Sequence, residues 1–218
     1  MALNEHTITT IIPALNEATS LPKVIAELPG FIDTIIVCDN GSTDRTAEVA
    51  REGGAEVVRE QEKGYGAACL KAIASAPDET DILLFIDADY SDYPAEAESL
   101  VRPIIDDNCD LVIGSRMLTY REHRAIPPVA AFGNWLTTNL IRLIWRQRFT
   151  DMGPFRAIRF EAYKSLDIFF FNDTATTEMQ VKAVKRGLRC VEVPVSYRAR
   201  IGKSKISGTI SGSVRAGV

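Results

Sequence analysis

The stretch from Leu83 to Tyr90 (LLFIDADY) restricts what this chain can fold into more than any other part of the sequence. Its first four residues are apolar, which is typical of a short strand buried on both faces of a sheet. Asp87 and Asp89 follow this run, and such a strand has no use for two carboxylates within it. We therefore expect both aspartates at or beyond its C-terminal end, the edge where open α/β sheets bind ligands.

Two carboxylates that face one cleft repel each other unless a cation joins them. Oxygen ligands of this kind suit Mg²⁺ or Mn²⁺, and Mg²⁺ is usually held by one or two carboxylates together with substrate phosphates. Asp87 and Asp89 therefore predict a metal site that holds a nucleotide diphosphate. For this tripeptide alone, a solvated turn after the strand is the alternative, since Asp is common in turns.

Strand-like and helical segments alternate through the first half of the chain. The first β-branched run ends at Pro13, which cannot continue a central ladder, and later apolar runs end in polar clusters. This alternation implies right-handed crossovers and a mostly parallel, doubly wound α/β sheet with helices on both faces. The predicted strands of this half cover residues 7–12, 34–38, 55–58, 82–86 and 111–114.

Charge is divided unevenly along the 218 residues. Residues 1–115 contain 7 Lys and Arg against 22 Asp and Glu, whereas residues 116–218 contain 18 against 7. We expect a single domain over 1–218, because the length suits one sizeable unit. Its acidic half (1–115) would bind a nucleotide, and its basic half (116–218) would face a phosphate-bearing substrate or an anionic membrane surface.

Residues 129–145 combine a helical apolar period with aromatic residues. Packing of the apolar face against the sheet is one interpretation, and burial in a membrane interface is the other. No run of the chain reaches the ~20 uncharged apolar residues that a spanning helix needs. The residues at helical spacing are Val129, Phe132, Leu136, Leu140 and Leu143, with Trp135 and Trp145 alongside.

The segment 169–178 follows neither a helical nor a strand period. Its heptapeptide from Asn172 to Glu178 (NDTATTE) is what a common sequencing adapter would encode if translated. We therefore expect this stretch to be foreign to the native gene. Re-sequencing the locus tests this, and a read that reproduces those codons would contradict it.

Eight motifs in a fixed order carry a resemblance to a known family. Together they resemble the family-2 glycosyltransferases of the GT-A fold, and among these the dolichyl- or polyprenyl-phosphate hexosyltransferases. The resemblance extends over nearly all of residues 7–210, and it is the order of the motifs that makes it specific. The motifs are PALNE (13–17), CDNGSTD (38–44), KGYGAAC (63–69), FIDADY (85–90), GSR (114–116), DMGPFR (151–156), EMQVKA (178–183) and EVPVSYRARIGKSK (192–205).

The resemblance implies a donor site in the first half of the chain. Pro13, Leu15 and Glu17 would line the base and ribose pocket. Asp39 would hydrogen-bond the nucleobase, since a carboxylate accepts from a ring N–H of uracil or guanine. The other nucleotide-binding residues implied are Lys63, Gly64, Asp87 and Ala88.

The same resemblance assigns the metal. Asp87 and Asp89 match the metal-binding pair, with Asp89 as the direct ligand. The family often has Gln two residues after the second aspartate, but this chain has Ser91, so water or Asp92 would complete the site. Arg116 would face the donor phosphates or the sugar.

The acceptor site implied by the resemblance lies in the second half. Asp151, Gly153 and Arg156 match the acceptor loop, and Asp151 would act as a base or an orienting group, with a plain turn residue as the alternative. A lipid phosphate is already an anionic nucleophile, so it needs positioning and charge screening more than a strong base. The cluster that would grip this phosphate comprises Arg200, Lys203, Ser204 and Lys205.

The implied reaction is an inverting transfer of a hexose from a UDP- or GDP-sugar to a polyprenyl phosphate. Rival interpretations are a sugar-phosphate nucleotidyltransferase, a dinucleotide-dependent oxidoreductase and a catalytically silent membrane-associated scaffold. The first two need Gly-rich loops after the first strand, and PALNE is not one. We expect no nucleic-acid partner. No signal-peptide pattern precedes the first strand, and we expect a cytoplasmic enzyme at the inner face of the membrane.

Overall fold

A seven-stranded sheet forms the centre of the computed structural model, which describes residues 3–119, 122, 125–169 and 175–202. The strands are β1 (Ile8–Ala14), β2 (Thr34–Asp39), β3 (Glu56–Arg59), β4 (Ile82–Phe85), β5 (Leu111–Ser115), β6 (Arg156–Arg159) and β7 (Cys190–Pro194). Their spatial order is β3-β2-β1-β4-β6-β5-β7. All pairings are parallel except those of β6, which runs antiparallel to β4 and β5. The prediction of a mostly parallel sheet is confirmed.

Helices cover both faces of this sheet, as predicted. Neighbouring strand residues point to opposite faces: Ile12 and Leu84 belong to one apolar cluster, whereas Ile11 and Leu83 belong to another. The first cluster includes residues of α1, α2 and α4, and the second residues of α3, α6 and α7. The helices are α1 (Leu21–Glu27), α2 (Thr46–Glu52), α3 (Tyr65–Ile73), α4 (Ala97–Asp106), α5 (Pro128–Trp145), α6 (Phe160–Ser165) and α7 (Ala175–Lys185).

The direction of β6 decides where the loop before it lies. Because β6 opposes its neighbours, its first residue sits at the edge where the parallel strands end. Arg156 pairs there with Phe85, the last residue of β4. The loop 150–155 therefore meets the chain segment that carries Asp87 and Asp89.

Helix α5 presents its apolar face to the outside. Phe132 and Leu143 are 62% and 78% exposed, and the buried residues of this helix are Thr138 and Ile141. The interpretation that the apolar face packs against the sheet is therefore wrong. The helix is anchored instead through Asn134, which bonds the backbone of the loop at 150–152. Among the described residues, no helix is both long and apolar enough to span a bilayer.

Helix α7 begins inside the segment expected to be foreign to the gene. Residues 170–174 lie outside the described residues, whereas Ala175–Glu178 form the first turn of α7. The last four residues of this segment are therefore helical, although their sequence shows no clear period. Its origin stays a prediction.

Candidate active site

A cleft of about 700 Å³ opens at the C-terminal edge of the sheet. The chain segments at the ends of β1, β2 and β4 line it, and α5 contributes Ala130 to its wall. The predicted site residues that line this cleft are Pro13, Leu15, Glu17, Lys63, Gly64, Asp87, Ala88, Asp89, Arg116 and Arg200. The predicted residues absent from its lining are Asp39, Asp151, Gly153 and Arg156, while Lys203, Ser204 and Lys205 fall outside the described residues.

Both carboxylates line the cleft, where Asp89 is buried and Asp87 is half-buried. Asp89 Oδ1 accepts hydrogen bonds from the Ser91 backbone N–H at 2.9 Å and from the Ser91 hydroxyl at 2.6 Å. Asp89 Oδ2 forms an ion pair with Arg200. Asp87 Oδ1 is buried without a hydrogen-bond partner among the described residues. Burial, with a further contribution from Asp89, raises the pKa of Asp87 to about 7.

This arrangement suits a cation that is shared with a substrate. Burial penalises two neighbouring negative charges, and a divalent ion removes that penalty. No three or more His, Cys, Asp or Glu side chains converge on one metal position within the described part of the chain. The protein thus supplies two carboxylates, and phosphates and water would supply the rest, which is how Mg²⁺ is usually bound. The residues therefore fit Mg²⁺ or Mn²⁺ held together with a nucleotide diphosphate.

Asp92 does not converge with Asp87 and Asp89 on one metal position among the described residues, contrary to one of the two options considered for a third ligand. It is 1% exposed, and neither of its carboxylate oxygens has a hydrogen-bond partner among the described residues. Burial, followed by repulsion from Asp87, raises the pKa of Asp92 well above its ordinary value. Water stays the predicted source of a further ligand.

Arg116 is held over the cleft by a buried carboxylate. Its Nε and Nη2 donate to the two oxygens of Asp151, each at 2.7 Å, and its backbone N–H donates to Asp151 Oδ2 at 2.8 Å. The Met152 N–H adds a fourth bond at 2.8 Å. Burial opposes the charge of Arg116, but the bond to Asp151 raises its pKa above the ordinary value. With both oxygens occupied, Asp151 is suited to orient Arg116 and poorly suited to take a proton.

The loop that carries Asp151 is fixed from several elements. The carboxylate of Glu192, on β7, accepts from the backbone N–H groups of Thr150 and Asp151 at 2.8 Å and 3.0 Å. Asn134, on α5, accepts from the Met152 N–H at 2.8 Å and donates to the Thr150 carbonyl at 3.0 Å. These contacts give Arg116 a defined direction.

Arg156 belongs to this scaffold and is not a free cation. It is 1% exposed, and its guanidinium donates to the carbonyls of Gly153 at 3.1 Å and Thr176 at 2.9 Å, and to Gln180 Oε1 at 3.2 Å. Burial lowers the pKa of Arg156 to about 10. The expected contact between Arg156 and an acceptor phosphate finds no support here, because its N–H groups already face protein oxygens.

Asp39, the predicted partner of the nucleobase, does not line the cleft, whereas its neighbour Asn40 does. Asp39 is 4% exposed, and its Oδ1 accepts from the Ser42 N–H at 2.9 Å. Asn40 lines the cleft instead: its Oδ1 accepts from the Gly64 N–H at 2.9 Å, and its Nδ2 donates to the carbonyl of Glu62 at 2.7 Å. Gly64 has a φ of 140°, a conformation that favours glycine. Asn40 is not among the predicted nucleotide-binding residues, and nothing local in the sequence reveals this contact.

A mostly parallel sheet with one reversed strand, two carboxylates at its C-terminal edge and cations in the same cleft define a GT-A glycosyltransferase. The model of glycosyl transferase family 2 matches residues 9–167. The chain belongs to this family.

Relatives that match over most of this chain are named as transferases of sugars. An uncharacterized glycosyltransferase of Mycobacterium tuberculosis is 38% identical over 210 residues, which cover 96% of this chain and 94% of the relative. The dolichyl-phosphate hexose transferase of Haloferax volcanii is 29% identical over 206 residues, covering 93% and 88%. The undecaprenyl-phosphate mannosyltransferase of Micrococcus luteus is 28% identical over 217 residues, covering 93% and 88%.

Among solved structures, the chain is similar to glucosyl-3-phosphoglycerate synthase from Mycobacterium tuberculosis. That enzyme was crystallised with Mn²⁺, UDP and glucosyl-3-phosphoglycerate. The TM-score is 0.73 at 26% identity, and the match covers 91% of this chain and 73% of that one. This similarity confirms the GT-A fold.

Proposed function

We propose that this chain is an inverting hexosyltransferase that uses a UDP- or GDP-sugar, with Mg²⁺ or Mn²⁺, and a polyprenyl phosphate as acceptor. The observation that carries the proposal is the meeting of Asp87 and Asp89 with Arg116 and Arg200 in one cleft. A pyrophosphate bound through a cation needs the carboxylates, and an incoming anion needs the arginines. The names of the Haloferax volcanii and Micrococcus luteus relatives support a polyprenyl-phosphate acceptor.

In this mechanism the chain's residues bind and orient two anions. Pro13 and Leu15 would flank the nucleoside, and Asp87 and Asp89 would hold the metal, which as a Lewis acid stabilises negative charge on the leaving diphosphate. An acceptor phosphate oxygen forms a bond to the anomeric carbon while the bond to the β-phosphate oxygen breaks, and the nucleoside diphosphate leaves with that electron pair. Arg116, oriented by Asp151, would screen the charge during this displacement.

The exposed face of α5 supports a lipid acceptor at a membrane surface. Phe132 and Leu143 are exposed, and Ala130 of the same helix lines the cleft. An apolar helix face of this kind suits the headgroup region of a bilayer. We propose that α5 lies on the cytoplasmic membrane surface and brings the cleft to the lipid phosphate.

A second acceptor class has an observation in its favour. The similar Mycobacterium tuberculosis enzyme was also crystallised with Mn²⁺, UDP-glucose and phosphoglyceric acid. A small phosphorylated acid would likewise present an oxygen nucleophile near the arginines of the cleft. An exposed apolar helix is not needed for such an acceptor, and this difference favours the lipid.

The assay measures release of UDP or GDP from nucleotide sugars with Mn²⁺, with a short polyprenyl phosphate, with 3-phosphoglycerate, or with neither. We expect turnover that depends on the polyprenyl phosphate. Asp89→Asn should reduce turnover by about 10²–10³-fold, whereas Asp107→Asn, at an exposed position after α4, should have no effect. Turnover with phosphoglycerate alone would reassign the acceptor, and full activity of Asp89→Asn would contradict the proposed site.

A further inference from the structure

One arginine outside the cleft lining binds the turn that carries the second aspartate. Arg198 follows β7, and its backbone N–H donates to the Ser91 carbonyl at 2.9 Å. Its Nε donates to the Tyr90 carbonyl at 2.7 Å and its Nη2 to the Asp92 carbonyl at 3.2 Å. The Ile201 N–H donates to the Asp89 carbonyl at 3.0 Å. Four successive carbonyls, 89 to 92, thus accept hydrogen bonds from residues 198–201.

The guanidinium of Arg198 also lies close to two aromatic rings. Its Cζ lies 3.3 Å from the ring centroid of Tyr90 and 4.2 Å from that of Tyr93. Glu27, the last residue of α1, accepts from Arg198 Nη2 at 3.3 Å and from the Tyr90 hydroxyl. A planar cation that contacts two rings and donates several hydrogen bonds along its edge is restricted in orientation.

The backbone of this turn needs such support. Tyr90 has a φ of 64°, a left-handed conformation that is uncommon for a residue with a large side chain. It immediately follows Asp89, a residue that is 3% exposed and lines the cleft. A change in the Tyr90 backbone would redirect Asp89 and the Ser91 groups that bond its Oδ1.

We propose that Arg198 is a positioning residue for the metal site: it holds the turn 89–92 in the conformation that directs Asp89 toward a bound cation. This inference rests on the proposed function, since it assumes that Asp89 binds the metal of the donor complex. Arg198 acts through Asp89 and does not itself contact the substrate.

The test separates metal binding from nucleotide binding. The affinity of the protein for UDP, or for GDP if UDP does not bind, is measured by calorimetry with Mn²⁺ and again with EDTA. The dissociation constant in EDTA divided by that in Mn²⁺ measures how much the metal contributes to nucleotide binding. Arg198→Ala should reduce this ratio by about 10-fold, as expected when a partner of a metal ligand is removed, while affinity in EDTA stays unchanged.

Two further variants make the outcome decisive. Arg198→Lys retains the charge but loses the fork and the stacking, so we expect it to reduce the ratio as well; wild-type behaviour would overturn the proposal. The matched control is Arg159→Ala, which removes an arginine that donates to the Ile104 carbonyl at 2.9 Å and to Asn108 Oδ1 at 3.2 Å. It should leave the ratio unchanged.

The sign of the effect excludes a purely electrostatic role. If Arg198 acted only as a nearby positive charge, its removal would strengthen Mn²⁺ binding, and an unchanged or increased ratio in Arg198→Ala would overturn the proposal. If the wild-type protein shows no contribution of Mn²⁺ that depends on Asp89, the proposed function fails, and this inference fails with it. If wild type shows that contribution and Arg198→Ala retains it, only this inference fails.

Discussion

The hydrogen bonds of Asp151 determine which role this side chain can have in the reaction. It is fully buried, and its two oxygens accept four hydrogen bonds, three of them from Arg116. Such a carboxylate has no oxygen left to accept a proton from a substrate in this geometry. Asp151 would therefore affect the reaction indirectly, by orienting Arg116 and stabilising its positive charge.

Asp151→Asn removes the charge but preserves the shape of the side chain. Leaving a buried arginine without its counter-ion should destabilise the protein by roughly 3 kcal/mol, or about 6–12 °C in Tm. Activity should fall, but the residual activity should keep the wild-type pH dependence, because no proton-accepting group is lost. Thermal unfolding and a pH–rate profile check this, and disappearance of one limb of the profile would identify Asp151 as a base instead.

The features of the helices and strands that the sequence predicts well are those that depend on local sequence pattern. The strands around Ile11 and Leu84 are predicted by their apolar runs, and the location of Asp87 and Asp89 is predicted by the rule that ligands bind at strand ends. The direction of β6 and the orientation of α5 cannot be predicted in this way, because each depends on contacts between residues distant in sequence. Asn134 of α5 bonds the loop at 150–152 while the apolar face of the helix is exposed, and helical periodicity contains no information about these bonds.

The junction of β5, β6 and β7 can be tested with one glycine. A Cβ at Gly114 would lie 2.9 Å from the Phe155 carbonyl and from the methyl groups of Val195. Gly114→Ala should therefore destabilise the protein by about 1–3 kcal/mol and lower its activity, since Phe155 ends the loop that carries Asp151.

The control for this substitution is Gly133→Ala, on α5. A Cβ at Gly133 meets nothing within 4 Å, and alanine favours a helix over glycine by about 1 kcal/mol. This variant should unfold at the same denaturant concentration as wild type or at a higher one. If both variants behave alike in chemical denaturation, the close packing at Gly114 is not what limits stability.

The apolar face of α5 makes a separate prediction about membranes. Phe132 and Leu143 would each contribute about 1.5–3 kcal/mol when buried in the bilayer surface. The double variant Phe132→Ser/Leu143→Ser should therefore weaken binding to phosphatidylglycerol vesicles by at least about 10²-fold. Nucleotide binding should be unchanged, and Asn139→Ser, at an exposed polar position of the same helix, serves as the control in co-sedimentation. Equal vesicle binding by all three proteins would contradict a membrane role for α5.

Across the entire chain, acidic residues of the first half and basic residues of the second half meet at the cleft. The acidic first half supplies Asp87 and Asp89, and the basic second half supplies Arg116 and Arg200. The two halves also share one sheet, because β6 and β7 pair with β4 and β5. A donor bound in the cleft would therefore contact segments from both halves, and its binding should stabilise the whole fold against unfolding.

This coupling predicts a metal-dependent gain in thermal stability. A ligand at 100 times its dissociation constant stabilises the folded state by about 2.7 kcal/mol, which corresponds to roughly 5–11 °C for a protein of this size. We expect such a rise in Tm with UDP or GDP and Mn²⁺ together, a smaller rise with the nucleotide alone, and reversal by EDTA. Asp89→Asn should lose the metal-dependent part and retain the nucleotide-dependent part, because Leu15 and Asn40, which also line the cleft, are unchanged. An equal shift with and without Mn²⁺ in the wild-type protein would show that the carboxylate pair does not bind the donor through a metal.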